Sequence, residues 1–428
     1  MKKAMLRRGT LLVLLILSSS DLCLADDFIH VHDGGFEFKG QPLHYMGSNF
    51  WYGMNLGSLG PSGDRPRLLR ELDRFKAQGI TNLRIIAGTE GPDTEPWRIV
   101  PALQERPGIY DPALLNGLDF LLDEMSKRSL HAVIMLTNFW FWSGGMTQYL
   151  NWAGEGPVPY PIPSNDYQTY RAYASQFYKN RKAQNYLDTF IKFIVTRTNT
   201  ISGKQYINDP TIMSWELANE PSVVGEVTDF GKWIDRESTY VKSLDQNHLV
   251  TTGSEGKPPR SQLDVARDHQ YKNIDYVTIH LWAQNWGWYD PTQAQTSYPN
   301  ALHEMKNYFQ TMVSEAKPLN KPLVLEEFGL ARDEQSYLRG SPTTYRDQYY
   351  RSVFEEVRNA INNGSRVSGV NFWAWGGESG NSSIVWWKPG DPFTGEPPAE
   401  PQGWYSIFHT DTSTINIITE FARELNNL

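Results

Sequence analysis

Two glutamates stand out by their surroundings. In Trp215-Glu216-Leu217-Ala218-Asn219-Glu220-Pro221 an apolar run ends on a carboxylate that a proline follows, and Leu323-Val324-Leu325-Glu326-Glu327-Phe328-Gly329 ends another on two more. Proline cannot donate to a strand ladder, so Glu220 falls where strand gives way to loop. Two carboxyl groups on opposite sides of one carbon can break a glycosidic bond: one protonates the leaving oxygen, the other faces the anomeric centre. At a separation of about 5–5.5 Å the second acts as a nucleophile and the configuration is retained. A lone strand-end glutamate is more often the partner of an arginine. Two of them on separate strands, one in Asn-Glu-Pro, favour the chemical reading.

Such groups need a scaffold that turns strand ends toward a common point. Eight short apolar runs recur along the chain: His44–Asn49, Thr81–Ile86, His131–Thr137, Ile212–Leu217, His248–Thr252, Tyr276–His280, Leu323–Glu327 and Gly369–Trp373. Helical patterns lie between them at Pro66–Gln78, Pro112–Lys127, Arg181–Thr198, Asp229–Leu244, Ala301–Ala316 and Thr344–Asn362, with an amphipathic ending at Ile415–Leu425. Runs that are apolar on both faces, each followed by a helix, predict parallel strands in βαβ series. Eight of them predict an α/β fold, a (β/α)8 TIM barrel, whose strand ends carry the chemistry. Glu220 and Glu327 follow the fourth and seventh runs and so can face each other across the mouth. Phe28–Gln41, with Asp33-Gly34-Gly35 at its centre, reads as a β-hairpin before the first strand. No linker divides residues 26–428, and the Pro/Gly-rich stretch Gly376–Gln402 reads as a long loop at the C-terminal face of that single domain.

Composition narrows the setting. Lys2, Lys3, Arg7 and Arg8, then the apolar Leu11–Leu17 and Cys23-Leu24-Ala25, predict a secretory signal over residues 1–25, too short for a membrane anchor. A lipoprotein reading through Cys23 is disfavoured by Leu22, where a small residue belongs. Cys23 is the only cysteine, so a chain cleaved after Ala25 is exported, to the medium, periplasm or cell surface, without disulfides. Removing the leader, with four basic residues and one acidic, takes the formal net charge from −8 to −11. That balance argues against nucleic acid or anionic lipid as a partner. The nine histidines show no paired spacing, so no metal or cofactor is expected. Aromatic residues make up 13% of the chain and cluster in polar, Gly-rich segments such as Asn138–Trp152 and Trp282–Tyr289, a mixture that suits sugar rings.

Leu217-Ala218-Asn219-Glu220-Pro221 together with Glu327-Phe328-Gly329 resembles glycoside hydrolase family 5, within the larger clan of retaining barrel enzymes. Ala102–Tyr110, Asn138–Trp152, Asp209–Pro221 and Lys242–Gly256 resemble its mannanase subfamily, and the likeness spans nearly all of residues 26–428. The resemblance implies that Glu220 is the acid/base and Glu327 the nucleophile, with Glu326 turned the other way by strand alternation. It implies that Arg84 fixes the nucleophile, that Asn219 binds the 2-hydroxyl of the cleaved sugar, that His280 is the site histidine and that Trp373 is the platform under that sugar. Trp140, after the third run, and Trp51, just past the first, join the expected substrate-binding set. Three departures stand out. Trp282 replaces the tyrosine that in many members bonds the nucleophile, Ile85-Ile86 replaces a Thr-Trp pair, and Ser222 replaces an arginine on the leaving-group side. The loss at Ser222, with the long segments Gly154–Arg181 and Gly376–Gln402, suggests weak distal positive subsites and a partly blocked cleft. The expected activity is retaining hydrolysis of β-1,4-mannan or manno-oligosaccharides by a monomer without a protein partner, with endo and exo modes both open. A β-1,4-glucanase with the same machinery, or a non-catalytic carbohydrate-binding barrel, are the rival readings.

Overall fold

Eight strands alternate with eight helices in the order the apolar runs predict. The computed structural model describes residues 27–379 and 385–428. The strands are β1 Tyr45–Asn49, β2 Asn82–Ile86, β3 His131–Met135, β4 Ile212–Glu216, β5 Leu249–Thr251, β6 Val277–Leu281, β7 Leu323–Phe328 and β8 Val367–Phe372. The helices that follow them are α1 Arg65–Ala77, α2 Pro112–Ser126, α3 Arg181–Val195, α4 Val227–Leu244, α5 Val265–His269, α6 Ala294–Ala316, α7 Thr344–Asn362 and α8 Thr412–Leu425. One parallel sheet runs β5-β4-β3-β2-β1-β8-β7-β6. Its two end strands meet without a ladder. Instead the Asp275 N–H donates to Val250 O (2.8 Å), the His280 N–H to Glu255 O (3.1 Å) and the Thr251 hydroxyl to Tyr276 O (3.0 Å). The sheet is thus a (β/α)8 barrel nearly closed by its own ladders, and these bonds tie the seam.

Local chemistry starts the helices where the sequence marks them. Asp64, Asp111 and Asn180 cap α1, α2 and α3 through the backbone N–H groups of Arg67, Ala113 and Ala183. The apolar stripe of each helix then packs on the outside of the barrel. The sequence reading did not mark the five-residue α5, and the largest boundary difference is at the start of α6. The sequence places the start of α6 at Ala301, after Pro299, whereas the helix begins at Ala294 and carries Pro299 inside it.

The N-terminal hairpin is a three-stranded antiparallel sheet, His30–His32, Gly35–Phe38 and Gln41–Leu43, the last strand lying at and beyond the end of the stretch read as a hairpin. It covers the bottom of the barrel: Ile29 and Phe36 form one buried cluster with Tyr45, Val133, Met213, Leu249, Tyr276 and Val324 from five barrel strands and the residue before a sixth. The expected leader lies outside the described residues. Among the described residues no helix is long and apolar enough to cross a membrane.

Candidate active site

Glu220 is placed by a short extension of β4 between its two neighbours. The Asn219 N–H donates to Thr137 O and the Glu220 N–H to Gly253 O, each at 2.9 Å. Glu220 takes a left-handed backbone (φ 49°), which a non-glycine residue holds only when its surroundings impose it. Gly253 makes the fit possible. Its own φ is +75°, and a Cβ there would run into Ala218 O and the Glu216 carboxylate.

The end of β7 departs from simple alternation. Ile279 pairs with Leu325 but His280 with Glu327, so Glu326 is an extra, unpaired residue in the ladder. A bulge of this kind re-aims side chains. Glu326 was expected to point away from the site by alternation. It lies instead in the barrel interior beneath Glu327, 1% exposed, with Oε2 3.7 Å from Arg84 Nε and 3.6 Å from His280 Nε2.

Arg84 is the hub. Its Nε and Nη2 grip Glu216 (2.7 and 2.6 Å), Nη2 also reaches Asn219 Oδ1 (2.8 Å), and Nη1 donates to Asn49 Oδ1 (3.0 Å) and to Glu327 Oε1. His280 bridges the carboxylates: Nδ1 is 2.7 Å from Glu220 Oε1 and 3.2 Å from Glu327 Oε2. Burial pushes the Glu327 carboxyl up, but the charges of His280 and Arg84 outweigh it and hold it below its ordinary value. Burial tends to strip the proton from His280, and the charge of Glu327, with the hydrogen bond to Glu220 and the nearby Glu326 carboxyl, reverses this and keeps the ring well above its usual value. Burial lifts the Glu216 carboxyl to about 8 against the pull of Arg84.

The structure brings most of the expected residues to one cleft. Asn219 donates to Asn138 Oδ1 (3.0 Å) while accepting from Arg84. Trp373 and Trp282 stand edge to face at 6.1 Å, and Trp282 leans on Tyr405 at 5.0 Å. The Trp282 indole makes no hydrogen bond to Glu327; that carboxylate is held by Arg84 and His280. Trp140 lines the cleft and donates its indole N–H to Glu220 Oε2 at 2.5 Å. Trp51 is not part of the cleft. It is fully buried, its indole N–H satisfied by Gly395 O (2.8 Å) and its ring wedged against Trp142 and Phe393, so it packs under the site and is closed to a ligand.

Sequence reasoning missed several groups. Glu216 was legible only as a neighbour in the Glu220 motif. Glu255 follows β5 and lines the cleft beside Glu220; burial, and then the charge of Glu220, push its carboxyl well above the usual range. Glu400 reaches the cleft from the Pro-rich loop, where no periodic pattern marks it. Among the described residues Glu220, His280 and Glu327 form the one group close enough to surround an ion, their atoms lying within 4.8 Å of one another. Those atoms are already engaged with each other, and Arg84 sets a positive charge beside them.

A buried carboxylate pair at the C-terminal ends of β4 and β7, with aromatic rings above it, defines a barrel hydrolase acting on sugars. The description "GH family 5 beta-mannosidase-like" matches residues 26–428. The chain belongs to glycoside hydrolase family 5. It is similar to the solved glycoside hydrolase family 5 mannosidase of Rhizomucor miehei, with 38% identity over 94% of this chain and 98% of that one and a TM-score of 0.88. A variant of that enzyme, solved in complex with mannosyl-fructose, matches equally well, at 38% identity and a TM-score of 0.88. Mannan endo-1,4-beta-mannosidase 1 of Solanum lycopersicum is 31% identical over 86% of this chain and 88% of its own. The protein is a glycoside hydrolase of the β-mannan-degrading kind.

Proposed function

We propose that this enzyme hydrolyses β-1,4-mannosidic bonds with retention, working from chain ends, with Glu220 as acid/base and Glu327 as nucleophile. One observation carries the reading: an oxygen of Glu220 and an oxygen of Glu327 lie within 4.8 Å of each other, with His280 Nδ1 between the two carboxyls. An inverting enzyme needs roughly 6.5–9.5 Å between its carboxyls to admit a water, whereas this spacing suits direct attack. In the first step Glu327 forms a bond to the anomeric carbon as Glu220 gives its proton to the departing oxygen. In the second, Glu220 takes a proton from water, which displaces Glu327 and releases the sugar. Arg84 and His280 keep Glu327 ionised, Asn219 is placed to bind the 2-hydroxyl, and Trp373 lies under the ring.

Chain-end action is supported by what closes the cleft. Asn165, Tyr167 and Arg171 reach it from Gly154–Arg181, and Ala399 and Glu400 from Gly376–Gln402, so both long segments become walls. The cleft has a volume of about 490 Å³, within the range of small-ligand sites. The similar solved structure bound to mannosyl-fructose, a disaccharide, points the same way. The endo mode remains the second reading because the plant relatives at 30–31% identity are named as endo-enzymes. Chromatography of early products from mannohexaose separates the two: mannose or mannobiose should dominate from the start. A rapid fall in galactomannan viscosity with few new reducing ends would overturn the chain-end reading. Residues 1–25 are proposed to be an export signal, and the N-terminal sequence of the exported protein should begin at Asp26.

A further inference from the structure

Glu326 is a buried carboxylate for which the reaction above has no use. The β7 bulge delivers it to the side of His280 opposite the substrate cleft, where its Oε2 faces His280 Nε2 at 3.6 Å and Arg84 Nε at 3.7 Å. Neither of its oxygens makes a hydrogen bond among the described residues, so the nearest basic groups are the Arg84 guanidinium and the His280 ring. The other ring nitrogen, Nδ1, faces both Glu220 and Glu327. The imidazole therefore has carboxylates at both ends. A neutral ring carries one N–H and one lone pair, and would turn the lone pair toward a carboxylate on one side or the other. Only the doubly protonated ring suits both.

We propose that Glu326 is a positioning residue: from beneath the site it holds a proton on Nε2 of His280, so that Nδ1–H bridges Glu220 and Glu327 throughout the reaction. This rests on the reading of those two glutamates as the reacting pair. The groups that face His280 and Glu326 come from every neighbouring strand. They are Arg84 of β2, Glu216 of β4 and Glu220 beyond it, Glu255 beyond β5 and Glu327 of β7; Tyr45 and Tyr276 face Glu326 from below. Arg84 is committed to Glu216 and Glu327 by direct hydrogen bonds, which leaves Glu326 as the anion on the Nε2 side of the ring.

Removing that charge while keeping the shape isolates the effect. Glu326→Gln should lower kcat on 4-nitrophenyl β-mannoside about 10-fold with little change in KM, because Glu326 touches no sugar. The alkaline limb of its pH–kcat profile should move down by about one pH unit, since His280 then loses its proton earlier. Glu326→Asp, which keeps the charge, should restore the limb. An alkaline limb that stays at the wild-type position in Glu326→Gln, with only Tm lowered, would overturn the proposal. Should that variant fail to fold, ¹⁵N-histidine NMR of the wild type decides: both ring nitrogens of His280 protonated at neutral pH supports the assignment, and a neutral tautomer overturns it. A wild type that turns over no mannoside would instead remove the proposed function, while the NMR result would still stand on its own.

Discussion

The two ends of the barrel interior use the same strands for opposite ends. At the bottom, Tyr45, Val133, Met213, Tyr276 and Val324 close on Phe36 of the small sheet, 0–3% exposed and almost wholly apolar. At the top, Arg84, Glu216, His280, Glu326 and Glu327 are just as buried, 0–2% exposed, and all are ionisable. Apolar burial stabilises at about 25 cal/mol per Å². Buried charge costs several kcal/mol per ion unless an opposite charge is near. Arg84 and His280 face four carboxyl groups (Glu216, Glu220, Glu326, Glu327), and burial lifts Glu216 toward its protonated form, to about 8. The top is therefore held together tightly by groups whose protons can be exchanged. Stability is concentrated at one end and reactivity at the other.

The sharpest way to break this contrast is to remove the chemistry while keeping the fold. Glu327→Ala should lower kcat by about 10⁴-fold or more on every substrate, because that carboxylate forms the bond itself. Its Tm should stay near that of the wild type, and mass spectrometry after a 2-fluoro mannosyl inhibitor should place the label on Glu327 in the native enzyme. A label on Glu326 would mean that the bulge aims the wrong neighbour. Glu220→Ala should cost about 10²–10⁴-fold on mannan and far less on an activated aryl mannoside, whose leaving group needs little protonation. Equal losses on the two substrates would remove the acid role.

A matched pair of substitutions then compares the ends directly. Arg84→Ala strands Glu216 and Glu327 without their shared partner and should lower stability by about 3–5 kcal/mol while abolishing turnover. Phe36→Ala at the bottom should cost about 3–5 kcal/mol by leaving a cavity, yet leave kcat and KM unchanged at temperatures where the variant is folded. Urea unfolding and steady-state kinetics on the same samples test both. A kinetic defect in Phe36→Ala would show that the two ends are coupled.

The strands were legible because a doubly covered parallel strand must be apolar on both faces, and all eight runs match their strands to within two residues at each end. The widest gap at a strand start is in the last, where the run begins at Gly369, two residues inside β8. Glu220, Glu327, Arg84 and His280 were legible as strand-end residues of a recognisable family pattern. What stayed hidden depends on register and on loops. Alternation assigns Glu326 to the wrong side because a one-residue bulge leaves no mark in the sequence. Trp51 was expected among the substrate-binding residues, and only the position of Gly395, far along the chain, shows that it is packed shut.

Ser222 shows the same limit, and it leads to the smallest expected effect. From sequence its lack of charge suggests weak binding on the leaving-group side. In the structure Ser222 is 8% exposed, its carbonyl accepts the Tyr178 hydroxyl (2.8 Å), and it does not line the cavity. A guanidinium reaches the cavity from elsewhere. Arg171, on the helix Tyr167–Ala174 of the long segment, lies 5.2 Å from the centre of the Trp140 ring, whose indole donates to Glu220. Among the described residues its side chain makes no hydrogen bond and has no carboxylate within ion-pair distance, so its donors are free for a sugar beside the acid. Charge-assisted contacts of this kind are worth about 1.5–3 kcal/mol, but an exposed one is screened toward the lower figure, about 10-fold. Arg171→Ala should therefore raise KM for mannotriose about 10-fold and leave KM for an aryl mannoside unchanged, because only the oligomer carries a sugar on that side. Arg171→Lys should recover part of the loss, since it keeps the charge without the planar fork. Equal changes on both substrates would move Arg171 to the other side of the cleavage point. No change on either would leave it only as a cover for Trp140 and return the leaving-group side to the weak binding that Ser222 suggests.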